Sequence, residues 1–316
     1  MMEVIGSIIL SIVYCLVFPG LIFTALVGMA ASYIDRKVTA RVQWRVGPPL
    51  LQPYYDFVKL LTKEVIIPKG ASKWTFLLAP VIGMAAVVIV SVMIWTAMIN
   101  KESSFNGDLL LIIYLLVVPS IMVIIGGFAS ANPLASLGAS REMKLIIAYE
   151  LPFVIAMAVP VIGTGYTIRL GEIISFQRDF GVITGQLSGL IAFLVVMLCV
   201  QAKLSLVPFD MAEAETEIIA GPLIEYSGAP LAIYKLTRMM LLFVVPMLVV
   251  VMFMGGITFK GWHILWGILK YVLVLVIVIL IRNTNPRVRI DQAVKFFWGP
   301  VTIMAAAAVI LSLMGM

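Results

Sequence analysis

Six carboxylates set the chemical question in this 316-residue chain. Asp210, Glu213, Glu215, Glu217 and Glu225 lie between Lys203 and Gly228, a stretch that holds no other basic residue than Lys203. The sixth, Glu150, stands inside an apolar run at 145–163. A charge at the centre of a membrane helix costs about 3 kcal/mol. Glu150 is therefore expected to face a bundle interior and to accept a proton, the alternative being a headgroup-level position at a helix end. The loop acids admit three readings: a proton-holding cluster, a docking surface for basic residues of a partner, or a solvated charged loop. The apolar interruptions Ile218, Ile219, Ala220, Leu223 and Ile224 speak against free exposure. If the segment is helical, Glu213 and Glu217 share a face at i,i+4 and repel by a few tenths of a kcal/mol. Neutralising these acids is expected to spare folding, because carboxylates beside a low-dielectric bundle are costly. No catalytic or metal-ligating set is expected. His263 is the single histidine, and Cys15 and Cys199 sit in apolar stretches without a C-x-x-C spacing, as small buried hydrophobes. Haem, zinc or iron–sulfur binding by this chain does not follow from such residues.

The elements that position these acids are written in the composition. Hydrophobic residues make up 62% of the chain and charged ones 12%, against about 25% charged in soluble proteins. So few charges cannot cover a water-exposed surface, and the chain reads as an all-α polytopic membrane protein. Apolar segments fall at about 4–31, 76–99, 109–131, 145–163, 182–202, 231–254, 264–281 and 297–315. They predict eight transmembrane helices in a single domain over 1–316. The first is too long for a signal peptide and follows Glu3 rather than a basic residue. Pro119, Pro152, Pro160 and Pro246 lie inside spans and predict kinked, tilted helices. The connection after the first span is too long to be structureless. Its run from Leu51 to Glu64 sets Tyr54, Phe57, Val58 and Leu61 at helical spacing, with Asp56, Lys59 and Lys63 offset. That pattern predicts an amphipathic helix in the membrane interface or beneath a docked subunit.

The net charge of +6 points to membrane orientation rather than to nucleic acid. Of the basic residues, 17 fall in or beside connections 32–75, 132–144, 203–230 and 282–296, and 4 in the other connections. Lysine and arginine resist translocation, so the richer side is expected in the cytoplasm of a multi-pass cell-membrane protein with both termini outside.

Four blocks carry a family resemblance. The first runs Asp35-Arg36-Lys37 to Arg45-Val46-Gly47-Pro48, then Leu51-Gln52-Pro53, Lys59-Leu60 and Lys63-Glu64. The second is Leu137-Gly138, Arg141 and Tyr149-Glu150; the third spans Pro208-Phe209-Asp210, Glu213-Ala214-Glu215, Glu217, Ala220-Gly221 and Glu225-Tyr226-Ser227-Gly228. The fourth is Arg282-Asn283-Thr284-Asn285-Pro286-Arg287-Val288-Arg289-Ile290-Asp291-Gln292. In this order they resemble the H-type membrane-subunit family of proton-pumping NADH–quinone oxidoreductase (complex I) and its counterparts in membrane-bound nickel–iron hydrogenase and sulfane reductase complexes.

The resemblance implies a non-redox membrane subunit that anchors a peripheral electron-transfer arm to antiporter-like pump subunits. Iron–sulfur clusters, and a NiFe or related site, would belong to the peripheral iron–sulfur and large hydrogenase-like partners, with electrons arriving from ferredoxin. It places Glu150, Asp210, Glu213, Glu215, Glu217 and Glu225 on an ion-coupling path. Arm docking or chamber lining falls to Asp35, Arg36, Lys37, Arg45, Arg141, Lys203, Arg238, Arg282, Arg287, Arg289 and Asp291. The chain departs from the quinone-reducing members where they carry Glu-Thr-Asn-Arg-x-Pro-Phe-Asp. Here an acid has become Lys203 and an arginine Leu206, while Arg238 replaces a glutamate of the sixth helix and Ala212 a proline. The two charge reversals favour the hydrogenase-like branch, which passes electrons to protons or sulfur compounds. In that setting the two cations are expected to pair with Glu213 or Glu217 and fill the chamber. A quinone-chamber subunit, an independent secondary transporter and a passive anchor are the competing readings. Inverted repeats and paired broken helices, which would mark a transporter, are not evident.

Overall fold

A computed structural model of the protein describes residues 12–259 and 261–315, with the side chains of Glu215 and Thr216 outside the description. No strand occurs among the described residues. The principal helices are α1 (Leu21–Val42), α2 (Gln52–Leu61), α3 (Lys73–Ile99), α4 (Asp108–Leu115), α5 (Val118–Ala129), α6 (Pro133–Gly163), α7 (Leu170–Phe180), α8 (Leu187–Lys203), α9 (Gly228–Met254), α10 (His263–Thr284), α11 (Ile290–Phe296) and α12 (Thr302–Leu313). Among the described residues, seven helical stretches are long and apolar enough to cross a membrane; α8, at 17 residues, is the shorter apolar eighth. A helix thus stands at each of the eight expected spans, the fifth just under the length that crosses a ~30 Å core unaided, while residues 4–11 of the first expected span lie outside the described residues.

Helix α9 is the axis of the bundle. Beyond Arg238 it is apolar on every face, and from Met239 to Phe253 every residue is buried. A helix without a polar stripe has no side to offer water. Helices α1, α2, α3, α8 and α10 all pack on it. Its last carbonyls are met by side chains: Gln177 donates to Val251 and Met252 at 3.0 and 3.1 Å, and Lys270 to Met254 at 2.6 Å.

Several boundaries differ from the hydropathy reading. Helix α1 continues to Val42 and carries Asp35, Arg36 and Lys37 as helical residues. Helix α6 begins at Pro133, so the expected connection 132–144 is its first three turns; the Asn132 side chain caps it by accepting from the Leu134 N–H at 2.8 Å. At 1.5 Å per residue its 31 residues span about 46 Å, well beyond a membrane core. Pro119 lies in the first turn of α5, just after the break at residues 116–117 that parts it from α4, whereas Pro152, Pro160 and Pro246 lie within continuous helices. The last span passes through a π-helical turn at Phe297–Val301 that contains Pro300. Cys199 is buried as expected, but Cys15 is exposed on the outer surface, where an apolar thiol faces lipid without penalty.

The connections segregate to two ends. At one end α1 and α2 are joined by Arg36–Asp56, and α6 and the links after α8 and α10 by Arg141–Glu217 and Asp210–Arg287 contacts and by the Val288 N–H donating to the Pro208 carbonyl at 3.1 Å. At the other end the Asp108 carboxylate accepts from Ser104 Oγ at 2.6 Å and from the Leu170 N–H at 2.9 Å, and Arg178 donates to the Ile257 carbonyl at 2.7 Å.

Candidate functional site

At the first end, α1, α9 and α10 deliver charged side chains to a cavity of about 320 Å³ closed by the connection after α8. Three ion pairs line it. Arg282, near the end of α10, holds both oxygens of Asp35 at 2.9 and 2.7 Å. Arg287 meets Asp210 at 2.9 Å. Arg238 binds Glu213 through both guanidinium nitrogens, the planar fork matching the carboxylate. A second cavity of about 420 Å³ shares Asp210 and Arg287 as its wall and is lined further by Arg141, Glu217, Arg289 and Asp291. Arg141 meets Glu217 there at 2.5 Å.

A smaller cavity of about 30 Å³ leads inward, lined by Arg238, Ser205, Glu142 and Lys203. Such a space has room for a water molecule. Glu142 is 3% exposed; Ser205 Oγ donates to its Oε1 at 3.2 Å, and its Oε2 has no hydrogen-bond partner. Lys203 Nζ contacts Glu150 Oε2 at 3.0 Å and lies 4.6 Å from the centre of the Phe153 ring. The Lys203 side chain is 1% exposed, so its charge is compensated by one carboxylate and an aromatic face.

The result is an ordered series of ionisable groups. It runs from Asp210–Arg287 and Glu213–Arg238 at the chamber, past Glu142, to Lys203–Glu150 in the bundle. Most sequence-selected residues fall in or beside it, with corrections. Glu150, near the start of the apolar run at 145–163, lies about midway along α6, because the polar stretch before that run is helical. Glu213 and Glu217 do not share a helical face: a tight turn at Met211–Glu213 ends before the short helix Glu215–Ile218, and each acid takes its own arginine. Lys203 pairs with Glu150 rather than with Glu213 or Glu217, while Arg238 does pair with Glu213. Glu225 stands apart from both cavities and accepts from Asn132 Nδ2 at 2.5 Å. Its neighbours Tyr226, stacked on Phe76, and Ser227, bonded to the Ile66 N–H, fasten the third connection to the first. Burial pushes the Tyr226 hydroxyl up to about 12. The Glu215 side chain lies outside the described residues. Arg45 lines a shallow recess with Asp35, Arg36 and Arg282, and Lys37 lies under the turn at Gly47.

Helix α2 forms where expected, and its polar side is the one held against the bundle. Asp56 turns toward α1 and accepts from Arg36 at 2.6 Å and Gln52 at 2.8 Å, leaving Tyr54, Tyr55, Val58 and Leu61 exposed. Burial raises the Asp56 carboxyl, but those hydrogen bonds and the charges of Arg36 and Lys235 outweigh it and hold the group below the usual carboxylate range.

Two glycines explain why the acidic connection lies flat against the bundle. Gly221 has φ +51°, and a Cβ there would stand 1.9 Å from the Ala212 carbonyl oxygen. A Cβ on Gly138 of α6 would meet the same oxygen at 2.9 Å and Pro222 Cδ at 2.7 Å. Only chain without a side chain permits this approach.

Glu142 and Ser205 were missed by the sequence reading. The charges of Arg141-Glu142-Met143-Lys144 resemble a polar loop, and only the helical phase places Glu142 inside. Among the described residues no group of three or more His, Cys, Asp or Glu side chains is gathered to hold a metal.

Fold and site together define a polytopic all-α membrane protein with a chain of ion pairs leading from one end into its core. The family model described as NADH dehydrogenase matches residues 14–313. The chain belongs to that family, as a relative of its H-type membrane subunit. It is 32% identical over 320 residues to the H-type subunit of NADH-quinone oxidoreductase from Geobacillus kaustophilus, covering 98% of this chain and 92% of that protein. It is 33% identical to the corresponding protein of Carboxydothermus hydrogenoformans over 88% of this chain and 81% of the relative. Among solved structures it is similar to a chain of the membrane-bound sulfane sulfur reductase, an archaeal respiratory membrane complex. That match has TM-score 0.81 and 28% identity, covering 92% of this chain and 96% of the other.

Proposed function

We propose that this chain is a coupling subunit which passes a redox-linked charge change from a peripheral electron-transfer arm to ion-translocating membrane partners. The observation that carries the reading is the pairing of the buried Lys203 with the part-buried Glu150, linked through one small cavity to the chamber pair Arg238–Glu213. Charges in a low-dielectric interior interact strongly, so the state of one pair biases the next. Protonation of Glu213 releases Arg238, whose guanidinium already borders the cavity of Glu142. The relieved cation turns its field onto Glu142, and the balance between Glu142 and Glu150 for Lys203 shifts. No mobile carrier is required. Glu150 then presents the change to antiporter-like partners, while Arg141, Arg289 and Asp291 border the cavity on which iron–sulfur and hydrogenase-like subunits dock. The basic end faces the cytoplasm and both termini lie outside, because 17 of the basic residues gather there.

The acceptor in this reading is protons or a sulfur compound, with ferredoxin as donor and no quinone step. Three ion pairs occupy the chamber walls, which suits a charge relay better than a neutral quinone head that needs unpaired hydrogen-bond partners. The names of the curated relatives favour the second reading, a quinone-chamber subunit. Two experiments decide. In the purified complex, Glu213→Gln should leave ferredoxin-dependent electron transfer intact and abolish the ion translocation linked to it; coupled pumping in that variant refutes the relay. Quinone-site inhibitors should not slow the complex, and quinone reduction at the physiological flux would replace the first reading by the second.

A further inference from the structure

A further cavity at the same end lies outside the chamber series and has the Arg36–Asp56 pair in its wall. It measures about 310 Å³ and lies where α1, α2 and α9 meet, lined by Arg36, Lys59, Lys63 and Lys235 around Asp56. Asp56 is already committed to Arg36. Lys59, Lys63 and Lys235 have no ion pair among the described residues. The pocket therefore holds a surplus of three positive charges with a concave floor of Phe57, Leu60 and Met239. We propose that this pocket binds the phosphate headgroup of an anionic membrane lipid.

Its position selects a lipid over a soluble anion. Helix α2 exposes Tyr54, Tyr55, Val58 and Leu61, an aromatic and aliphatic surface of the kind that settles at the headgroup level. Below the pocket, α1 exposes Ile22 and Leu26. Arg36 stands 14 residues from Ile22, about four helical turns and nearly the same face. One molecule can thus set its phosphate among the lysines and lay its acyl chains along α1. Basic pockets between membrane helices near the bilayer surface take anionic headgroups by this combination. The Asp56 carboxyl, held low in part by Lys235, reports the same positive field. The proposal is independent of the coupling reading, since none of these lysines belongs to the chamber series.

The test uses the whole purified complex, delipidated and then equilibrated in micelles of equal phosphatidylglycerol and phosphatidylcholine, with retained lipid counted by native mass spectrometry. The wild type should retain phosphatidylglycerol selectively. Each basic residue near a membrane surface is worth about fivefold in affinity, so Lys59→Gln, Lys63→Gln and Lys235→Gln together should weaken it on the order of a hundredfold. The matching Lys→Arg triple should keep it, and Lys101→Gln at the opposite end should change nothing. Lack of selectivity in the wild type overturns the proposal, as does its survival in the Gln triple. Inorganic phosphate alone is the second arm: saturable binding of phosphate that displaces the lipid would assign the pocket to a soluble anion instead.

Discussion

Replacing Lys203 by methionine leaves the part-buried Glu150 without its one cation. At 3.0 Å and an effective dielectric near 20, the lost attraction is about 5 kcal/mol. Breaking a buried pair from one side costs about 3–5 kcal/mol. For a chain of this size that lowers the apparent Tm by on the order of 10 °C. Removing both charges is a different perturbation: Lys203→Met with Glu150→Gln leaves no uncompensated charge, and most of the loss should return. Glu150→Gln alone should also destabilise, because an ammonium that is 1% exposed then loses its partner. That reverses the expectation drawn from the sequence, that neutralising Glu150 spares folding. Scanning fluorimetry on the purified complex gives the four corners of the cycle, and ion translocation measured in proteoliposomes gives the functional column. All three variants should lose coupled translocation, while the double variant alone should approach wild-type stability. Additive losses in the double variant would show that the two side chains do not act as a pair and would remove the inner end of the proposed relay.

Glu142→Gln should assemble normally, since an amide fits the same site beside Ser205, yet lower coupled translocation at least tenfold; unchanged pumping excludes Glu142 from the series. Gly221→Ala should loosen the acidic connection by at least about 1–3 kcal/mol, because the φ +51° backbone and the Ala212 carbonyl leave no room for a methyl group; limited proteolysis between Asp210 and Gly228 reads it, and wild-type resistance would contradict the close approach. The Asp56 carboxyl is held below its ordinary value, so its contribution is present at neutral pH and is lost as pH falls through that lowered value. Protection factors of the α2 amides, corrected for the intrinsic pH dependence of exchange, should therefore stay constant from pH 7 to pH 5, and loss of protection in α2 within that window would refute the Arg36–Asp56 anchor. A cysteine placed at Lys69 or Arg287 should resist an impermeant thiol reagent on intact cells; labelling from outside reverses the proposed orientation.

Hydropathy and charge were enough to set the class of fold, the approximate spans and the amphipathic helix α2, because a bilayer imposes length and polarity requirements on each segment locally. The acids at 150 and 210–217 were also conspicuous, since charge in or beside apolar sequence is costly wherever it folds. Their partners were not. Lys203 reaches Glu150 across 53 positions, and Arg282 reaches Asp35 across 247. Nothing local distinguishes these pairings from Lys203 with Glu213 or Glu217, the pairings expected from the sequence. The choice depends on where α6, α8 and α9 cross, and the helix start at Pro133 sets the phase that turns Glu142 and Glu150 inward. Glu142 was hidden for the same reason: beside Arg141 and Lys144 it reads as solvated, and only packing withdraws it from water. The nature of each charged residue was thus a property of the chain. Whether it became a surface charge, a wall of the chamber or a link toward Glu150 was decided by tertiary structure, because electrostatic interaction depends on distance and burial rather than on sequence separation.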